Sequence, residues 1–438
     1  MHVCRRWRSL VFISPRRLNL RLCCTARTPV RDMLDVWPPF PLIIFDTTNL
    51  TDDLDNILAA LERRDRVDQI FLFQDAHSTP FEKVFAAMQE PFPELTVLHL
   101  DSRNKLAAIV PDSFLGESAP RLRHLVLCGI SFPGLPKLLL SATHIVYLQL
   151  LKIPHSGHIS PAAMVTALST LTSLQFLGLQ FQSRPSRSHP DLESRRSPPL
   201  IRSVLPILRE IWFKGVCEYL EDFVARINAP KLIYLAIAFF DEIVFDTTQL
   251  TQFITRTPGL KPVENAHLIF GNRGCMVNSS SQRFRYEVRI SCRELDWQVS
   301  SLEQLCALHL SSPSVLEDLY IYEHLTMGQP DWQDNTENTL WLELLHRFTT
   351  VKNLYISKEF APHIVAALQE LVGGRTTEVL PTLQNIFLEE VEPGGRVQED
   401  IGRIVSARQL SGHTITVSHW ERDPRQERDL TTYYEIVD

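Results

Sequence analysis

The chain has 438 residues, 44% apolar and 22% charged, so it can bury a large core and has an ordinary composition for a water-exposed protein. Its formal net charge of −7 is uneven: residues 1–31 hold eight arginines and no acid, which leaves −15 for the remainder. A body that acidic argues against a nucleic-acid partner, and no apolar run reaches the ~18 residues that a membrane-spanning helix needs. The eight cysteines form no C-x-x-C pair, so neither a zinc ribbon nor a dithiol redox site is indicated. Cys128 and Cys217 lie in apolar periodic segments and read as buried free thiols of a reducing compartment. The sequons at Asn49 and Asn278 read as chance matches without a secretory signal.

Residues 2–10 pattern as a short amphipathic helix, with Val3, Trp7 and Leu10 on one side and arginines around them. Trp37–Pro41, W-P-P-F-P, is a stiff turn, and Leu42–Phe45 a short strand. Thr48 or Thr51 then caps a helix with Asp52 and Asp53 in its first turn and Leu54, Ile57, Leu58 and Leu61 on its buried face. A strand at 69–73 precedes a second helix built on Phe81, Val84, Phe85 and Met88. Ser160-Pro161 is a cap followed by proline at the first helical position, and Met164, Val165, Leu168 and Leu171 form the buried face. The stretch 183–199 is polar and proline-broken and reads as a disordered surface loop. F-D-T-T-N-L at 45–50 recurs as F-D-T-T-Q-L at 245–250, and both copies read as capping devices. The rhythm fails over 258–300, where 268–270 and 286–291 read as strands of irregular repeats or of a small antiparallel insertion. A helix follows at 300–308. Further helices carry Trp341, Leu344, Leu345 and Phe348, then Ile364, Val365, Leu368 and Leu371, and 398–419 holds a helix and a last strand. The charged tail from Glu421 to Asp438 reads as frayed.

One pattern ties these elements together. P-R-L-R-H-L-V-L at 120–127 places leucines at 122, 125 and 127, the L-x-x-L-x-L of a leucine-rich repeat strand. Leu125 and Leu127 alternate onto one face, which is buried only if similar strands stack beside it. Such copies occur at 93–100, 143–150, 172–179, 206–213 and 230–237, and later at 314–321, 350–357 and 381–388, with a weaker first copy at 67–73. The predicted fold is therefore α/β: a leucine-rich-repeat-like solenoid over 32–420, with a curved, mainly parallel sheet and helices on the convex side. V-C-R-R-W-R-S-L at 3–10 resembles the final helix of an F-box. S-P-R-R-L-N-L-R-L at 14–22 resembles the strand that leads into the repeats of fungal F-box proteins, and the repeat body is similar to theirs. The resemblance implies a substrate-recognition subunit of a cullin-type ubiquitin ligase, cytoplasmic or nuclear, with Val3, Trp7 and Leu10 in 1–31 as contacts to the adaptor subunit. The chain begins inside the last F-box helix and lacks the L-P-x-E-like start, so the resemblance implies an F-box truncated in this chain. The same basic start also fits a mitochondrial transit peptide or a start codon inside a longer gene.

No phosphate loop, dinucleotide fingerprint, nucleophile elbow or H-E-x-x-H motif occurs. The expectation is a protein-binding module, not an enzyme, with no cofactor, no metal, no membrane and a protein partner. Its alternatives are a repeat scaffold unconnected to ubiquitin, or an enzyme grafted on the solenoid. His99 and His124 fall at strand positions where stacked repeats could bring them together, a weak metal pattern. Residues flanking the second leucine of each copy point away from the core, onto the concave face. They include Val97, His99, His124, Val126, Tyr147, Gln149 and Phe176, then Glu210, Asp318, Asn353 and Asn385. Tyrosine and tryptophan bury much area at low entropy cost, so the expected partner surface is Trp212, Tyr234, Tyr320, Tyr322, Tyr355 and Phe387.

Overall fold

Equivalent residues of successive L-x-x-L-x-L copies lie opposite one another on parallel strands, as the stacking argument requires. Leu98 pairs with Leu125, Leu125 with Leu148 and Leu148 with Leu177, each one copy further along the chain. In the computed structural model the described residues are 20–36, 39–46, 54–74, 81–103, 108–183, 202–240, 247–260, 265–280, 285–309, 316–324, 337–390 and 394–422. Two compact units divide the chain, residues 1–232 and 233–438. Both are α/β, with an open and mainly parallel sheet.

In the first unit the sheet follows chain order. Its strands are Leu22–Cys24, Leu42–Asp46, Val67–Gln74, Val97–Ser102, His124–Cys128, Tyr147–Ile153, Phe176–Phe181 and Glu210–Gly215. Leu122, Leu125 and Leu127 are 0 to 3% exposed. Burying each such side chain favours folding by ~1.5–3 kcal/mol. The facing layer is the helical segments between strands, where Phe81, Phe85, Phe114 and Phe132 form a run of ring contacts 5.4 to 5.8 Å apart. Ser160 caps the Pro161–Leu168 helix by accepting from the Ala163 N–H at 3.3 Å. Gly129 has φ +65° and carries the chain out of its strand where a Cβ would stand 2.2 Å from the Ser102 carbonyl oxygen.

The second unit keeps parallel pairing at both ends but not in the middle. Its order is Tyr234–Phe239, Arg285–Ile290, Gly274–Ser280, Asn265–Gly271, Asp318–Glu323, Asn353–Ile356, Asn385–Leu388 and Thr416–His419. The three strands between 265 and 290 pair antiparallel with one another and parallel with their outer neighbours. The lost rhythm of 258–300 is thus a three-stranded meander set into the sheet. Its middle strand, G-C-M-V-N-S-S, carries no strand signal in the sequence because glycine, asparagine and serine dominate it. The helix after it runs Leu295–His309 and starts five residues before the expected one. Its buried Gln298 amide donates to the carbonyls of Gly271 at 2.8 Å and Cys292 at 3.1 Å, which ties the meander ends to the helix layer. Trp341, Leu344, Leu345, Phe348, Ile364, Val365, Leu368 and Leu371 are all buried, as their spacing predicts. Arg408 of the Arg396–Leu410 helix is 1% exposed and donates to the Val379 and Leu380 carbonyls at 2.6 and 2.9 Å.

Some expectations change or lie outside this description. The helix expected after Thr48 is Asp55–Leu61, and Thr48, Thr51, Asp52 and Asp53 lie outside the described residues. Thr247 precedes the Thr248–Arg256 helix without a side-chain capping bond, so the cap expected of the second F-D-T-T copy is not made by that hydroxyl. Val3, Trp7, Leu10 and most of 183–199 also lie outside the described residues.

Candidate partner-binding face

A parallel, in-register sheet sets equivalent side chains one strand spacing apart, about 4.8 Å, which is close to the stacking distance of rings. Tyr320, Tyr355 and Phe387 are direct partners across three strands, and His267 is the partner of Tyr320 on the next. Their rings form a continuous stack: His267 to Tyr320 at 4.4 Å, Tyr320 to Tyr355 at 4.2 Å, Tyr355 to Phe387 at 4.4 Å, all within 10° of parallel. The rings are half-buried, and they lie on the sheet face opposite the alternating core residues Leu319, Ile321, Leu354 and Ile356.

A polar row runs beside the rings at the strand starts. Asn353 donates from Nδ2 to Asp318 Oδ1 at 2.6 Å, Asn385 donates to Asn353 Oδ1 at 2.7 Å, and the Thr416 hydroxyl donates to Asn385. Each asparagine uses its donor on one side and its acceptor on the other, so the chain of bonds fixes the register of four strands.

Trp420, just before the segment read as a frayed tail, and Arg422 within that segment close over the rings. Trp420 sits edge-on to Tyr355 at 5.7 Å and tilted against Tyr320 at 5.9 Å, and Arg422 is only 8% exposed. Tyr322, expected on the open partner surface, is 4% exposed, because Ile269 and Met276 pack against it from the meander and Trp420 from above. Its hydroxyl meets His267 Nδ1 at 3.3 Å. Burial lowers the His267 pKa to about 4, so this imidazole is neutral at pH 7. Burial likewise raises the Tyr320 and Tyr355 phenols above their ordinary value.

Tyr234 stands apart from the stack: the Arg285 guanidinium lies 5.6 Å from its ring, and its hydroxyl bonds to Glu287, whose pKa burial raises despite the flanking Arg285 and Arg289. Between Glu287 and His267 lies Asn278, 1% exposed, with Oδ1 buried and unbonded. That burial also rules out the Asn278 sequon as an acceptor in the folded chain. Sequence reasoning missed His267, Trp420, Arg422 and the acids that Arg422 meets. The signal for Trp420 and Arg422 was present, since 416, 418, 420 and 422 continue the alternation of the final strand.

Trp212 belongs to the first unit. There Tyr147 stacks on Phe176 at 4.2 Å and 10°, His124 stacks on Tyr147 at 5.8 Å, and Trp212 tilts against Phe176 at 5.4 Å. Gly178 is the strand partner of both Gln149 and Trp212, and a Cβ there would meet Gln149 and Phe176 at 3.0 and 3.2 Å. His99 contacts Phe71 and Phe73, and its direct strand partner is Val126. Among the described residues no three His, Cys, Asp or Glu side chains converge as a metal site, and no helix is long and apolar enough to cross a membrane. At the strand starts of this unit, Arg21, Arg66, Asp68, Glu94 and Arg121 line a cavity of about 230 Å³, with Arg21 paired to Asp68 and Arg121 to Glu94.

No protein-family model matches the chain, and no curated protein matches it.

Proposed function

We propose that the chain is a protein-recognition module whose strand–helix copies stack as a leucine-rich-repeat-like solenoid. By the F-box resemblance of residues 3–22, it serves as the substrate-recognition subunit of a cullin-type ubiquitin ligase, the transfer chemistry belonging to partner subunits. The observation that carries the recognition reading is the stack His267–Tyr320–Tyr355–Phe387 on the face away from the core. Rings already fixed against each other lose little entropy when a partner covers them, which is what favours aromatic anchors at interfaces.

The test has two arms. Co-purification with the host's cullin-ligase adaptor is expected for the full chain and not for one lacking residues 1–31. Changing Tyr320 and Tyr355 together to alanine is expected to keep the adaptor and release the substrate. Failure of the full chain to hold the adaptor would remove ubiquitin from the reading. Retention of the substrate by the double variant would remove the aromatic face.

A further inference from the structure

We propose that the second unit carries a binding site for an arginine side chain that follows an aromatic residue two positions earlier in an extended segment. Trp420 and Arg422 of the chain itself fill that site in cis. The inference rests on the recognition reading of the same face and names the chemistry of its ligand.

The site is assembled from the ends of successive strands, without help from the segment that fills it. Glu323 ends one strand, Ser357 follows the next, and Glu389 follows the third. Ser357 donates to Glu323 Oε2 and holds that carboxylate in place. The side chains of Glu323 and Glu389 are 9 and 18% exposed. Burial and the neighbouring Glu323 push the Glu389 pKa up, and Arg422 pulls it down. Two shielded carboxylates facing one point are both ionised at low cost only with a cation between them.

The shape selects which cation. Arg422 sends Nη2 to Glu323 Oε1 at 2.8 Å and lies 3.5 Å from Glu389, while Nη1 donates to the Glu323 backbone carbonyl at 3.2 Å. Its guanidinium carbon stands 4.8 Å from the Tyr322 ring centre and 5.9 Å from that of Trp420. Donors in one plane, aimed at a carboxylate and a carbonyl, with a ring against the flat side, suit guanidinium and not the compact ammonium of lysine. The indole two residues earlier lies over Tyr320 and Tyr355, so ring and cation are read together.

The resident segment is held by these two side chains and by the pairing of Thr416–His419 with Asn385–Leu388. The strand before it, Thr416–His419, is exposed at every position and lies at the edge of the sheet. Beyond it the Trp420 N–H bonds to the Leu388 carbonyl at 2.8 Å. Local release of an exposed edge strand costs less than global unfolding, and it vacates the site for a segment of the same chemistry on a partner.

The probe is a labelled hexapeptide copying residues 418–423, Ser-His-Trp-Glu-Arg-Asp, titrated into full-length protein. Full-length R422A is expected to bind it at least tenfold more tightly than the unchanged chain, and W420A about threefold more tightly. A peptide with lysine in place of arginine is expected to lose about tenfold. Should R422A fail to fold with two carboxylates unpaired, W420A retains the ion pairs and carries the test. Folded variants that bind no better than the unchanged chain would overturn the proposal, as would equal binding of the lysine peptide. If the peptide binds as expected while the Tyr320–Tyr355 double variant keeps its substrate, this site stands and the recognition reading falls. The reverse pattern leaves the reading standing without this site.

Discussion

Tyr355 is the ring whose removal separates a face built for contact from rings that merely pack. It stacks on Tyr320 at 4.2 Å and on Phe387 at 4.4 Å, and Trp420 meets it edge-on at 5.7 Å. Each such pair contributes ~0.5–1.5 kcal/mol beyond burial, and the three contacts share one ring, so their sum is an upper bound. With a half-buried ring adding ~1 kcal/mol of lost apolar burial, Tyr355→Ala is expected to destabilise the second unit by about 2–4 kcal/mol. Tyr355→Phe keeps every ring contact and loses only the hydroxyl bond to Tyr320, ~0.5–1.5 kcal/mol. The assay is urea unfolding of both variants beside the unchanged chain, with amide exchange in the Asn353–Ile356 strand to localise the loss. Equal destabilisation by alanine and phenylalanine would refute the stacking account, as would a loss under ~1 kcal/mol for alanine.

Acid should weaken the second unit through two histidines. Burial lowers His267 and His324 to about 4, helped at His324 by Arg289 and Arg422, so the unfolded chain takes up their protons first. Their contribution is complete above pH 6.5 and lost progressively between 6.5 and 4; the drop in melting temperature from pH 7 to 5 should be smaller in H267F than in the unchanged chain. In the first unit, G129A combines a left-handed φ with a Cβ 2.2 Å from the Ser102 carbonyl and should cost about 2–4 kcal/mol by urea midpoint. G412A, with φ +83° and open space around its Cβ, should cost only ~1 kcal/mol. Asn278→Ala removes a buried, unbonded carbonyl whose desolvation costs ~1–3 kcal/mol, so its melting temperature should hold or rise; a clear fall would mean that the amide is bonded in solution.

What the sequence disclosed follows from what repeats. The L-x-x-L-x-L copies share an internal spacing and an apolar signature, so Leu98, Leu125, Leu148 and Leu177 are equivalent in the sequence and prove to be strand partners. The same alternation placed Tyr320, Tyr355 and Phe387 on the opposite face. The Gly274–Ser280 strand was illegible because its residues have turn chemistry and it is held by neighbours rather than by propensity. The burial of Tyr322 was illegible for a related reason. Its cover comes from Met276 and from Trp420, almost a hundred positions away, and no local pattern reports such a contact.

The meander decides how the chemistry of the face is distributed. Its pairings run one for one, so inserting antiparallel strands leaves the facing of each residue unchanged. Glu287, Asn278, His267, Tyr320, Tyr355 and Phe387 therefore form a single row, from acid and amide through imidazole to phenol and phenyl. A ligand laid across the strands meets the half-buried imidazole of His267 at one end and the rings of Tyr355 and Phe387 at the other, while Asn278 beneath is 1% exposed. Trp420 lies over the Tyr320–Tyr355 part of that row, and Arg422 fills the acidic pair beside it. A variant at Tyr355 thus probes the open part of the row, under the resident Trp420, and a variant at Asn278 probes only its buried part. A ligand on this row should gain from W420A and lose to Tyr355→Ala, and it should be indifferent to N278A, whose side chain is 1% exposed.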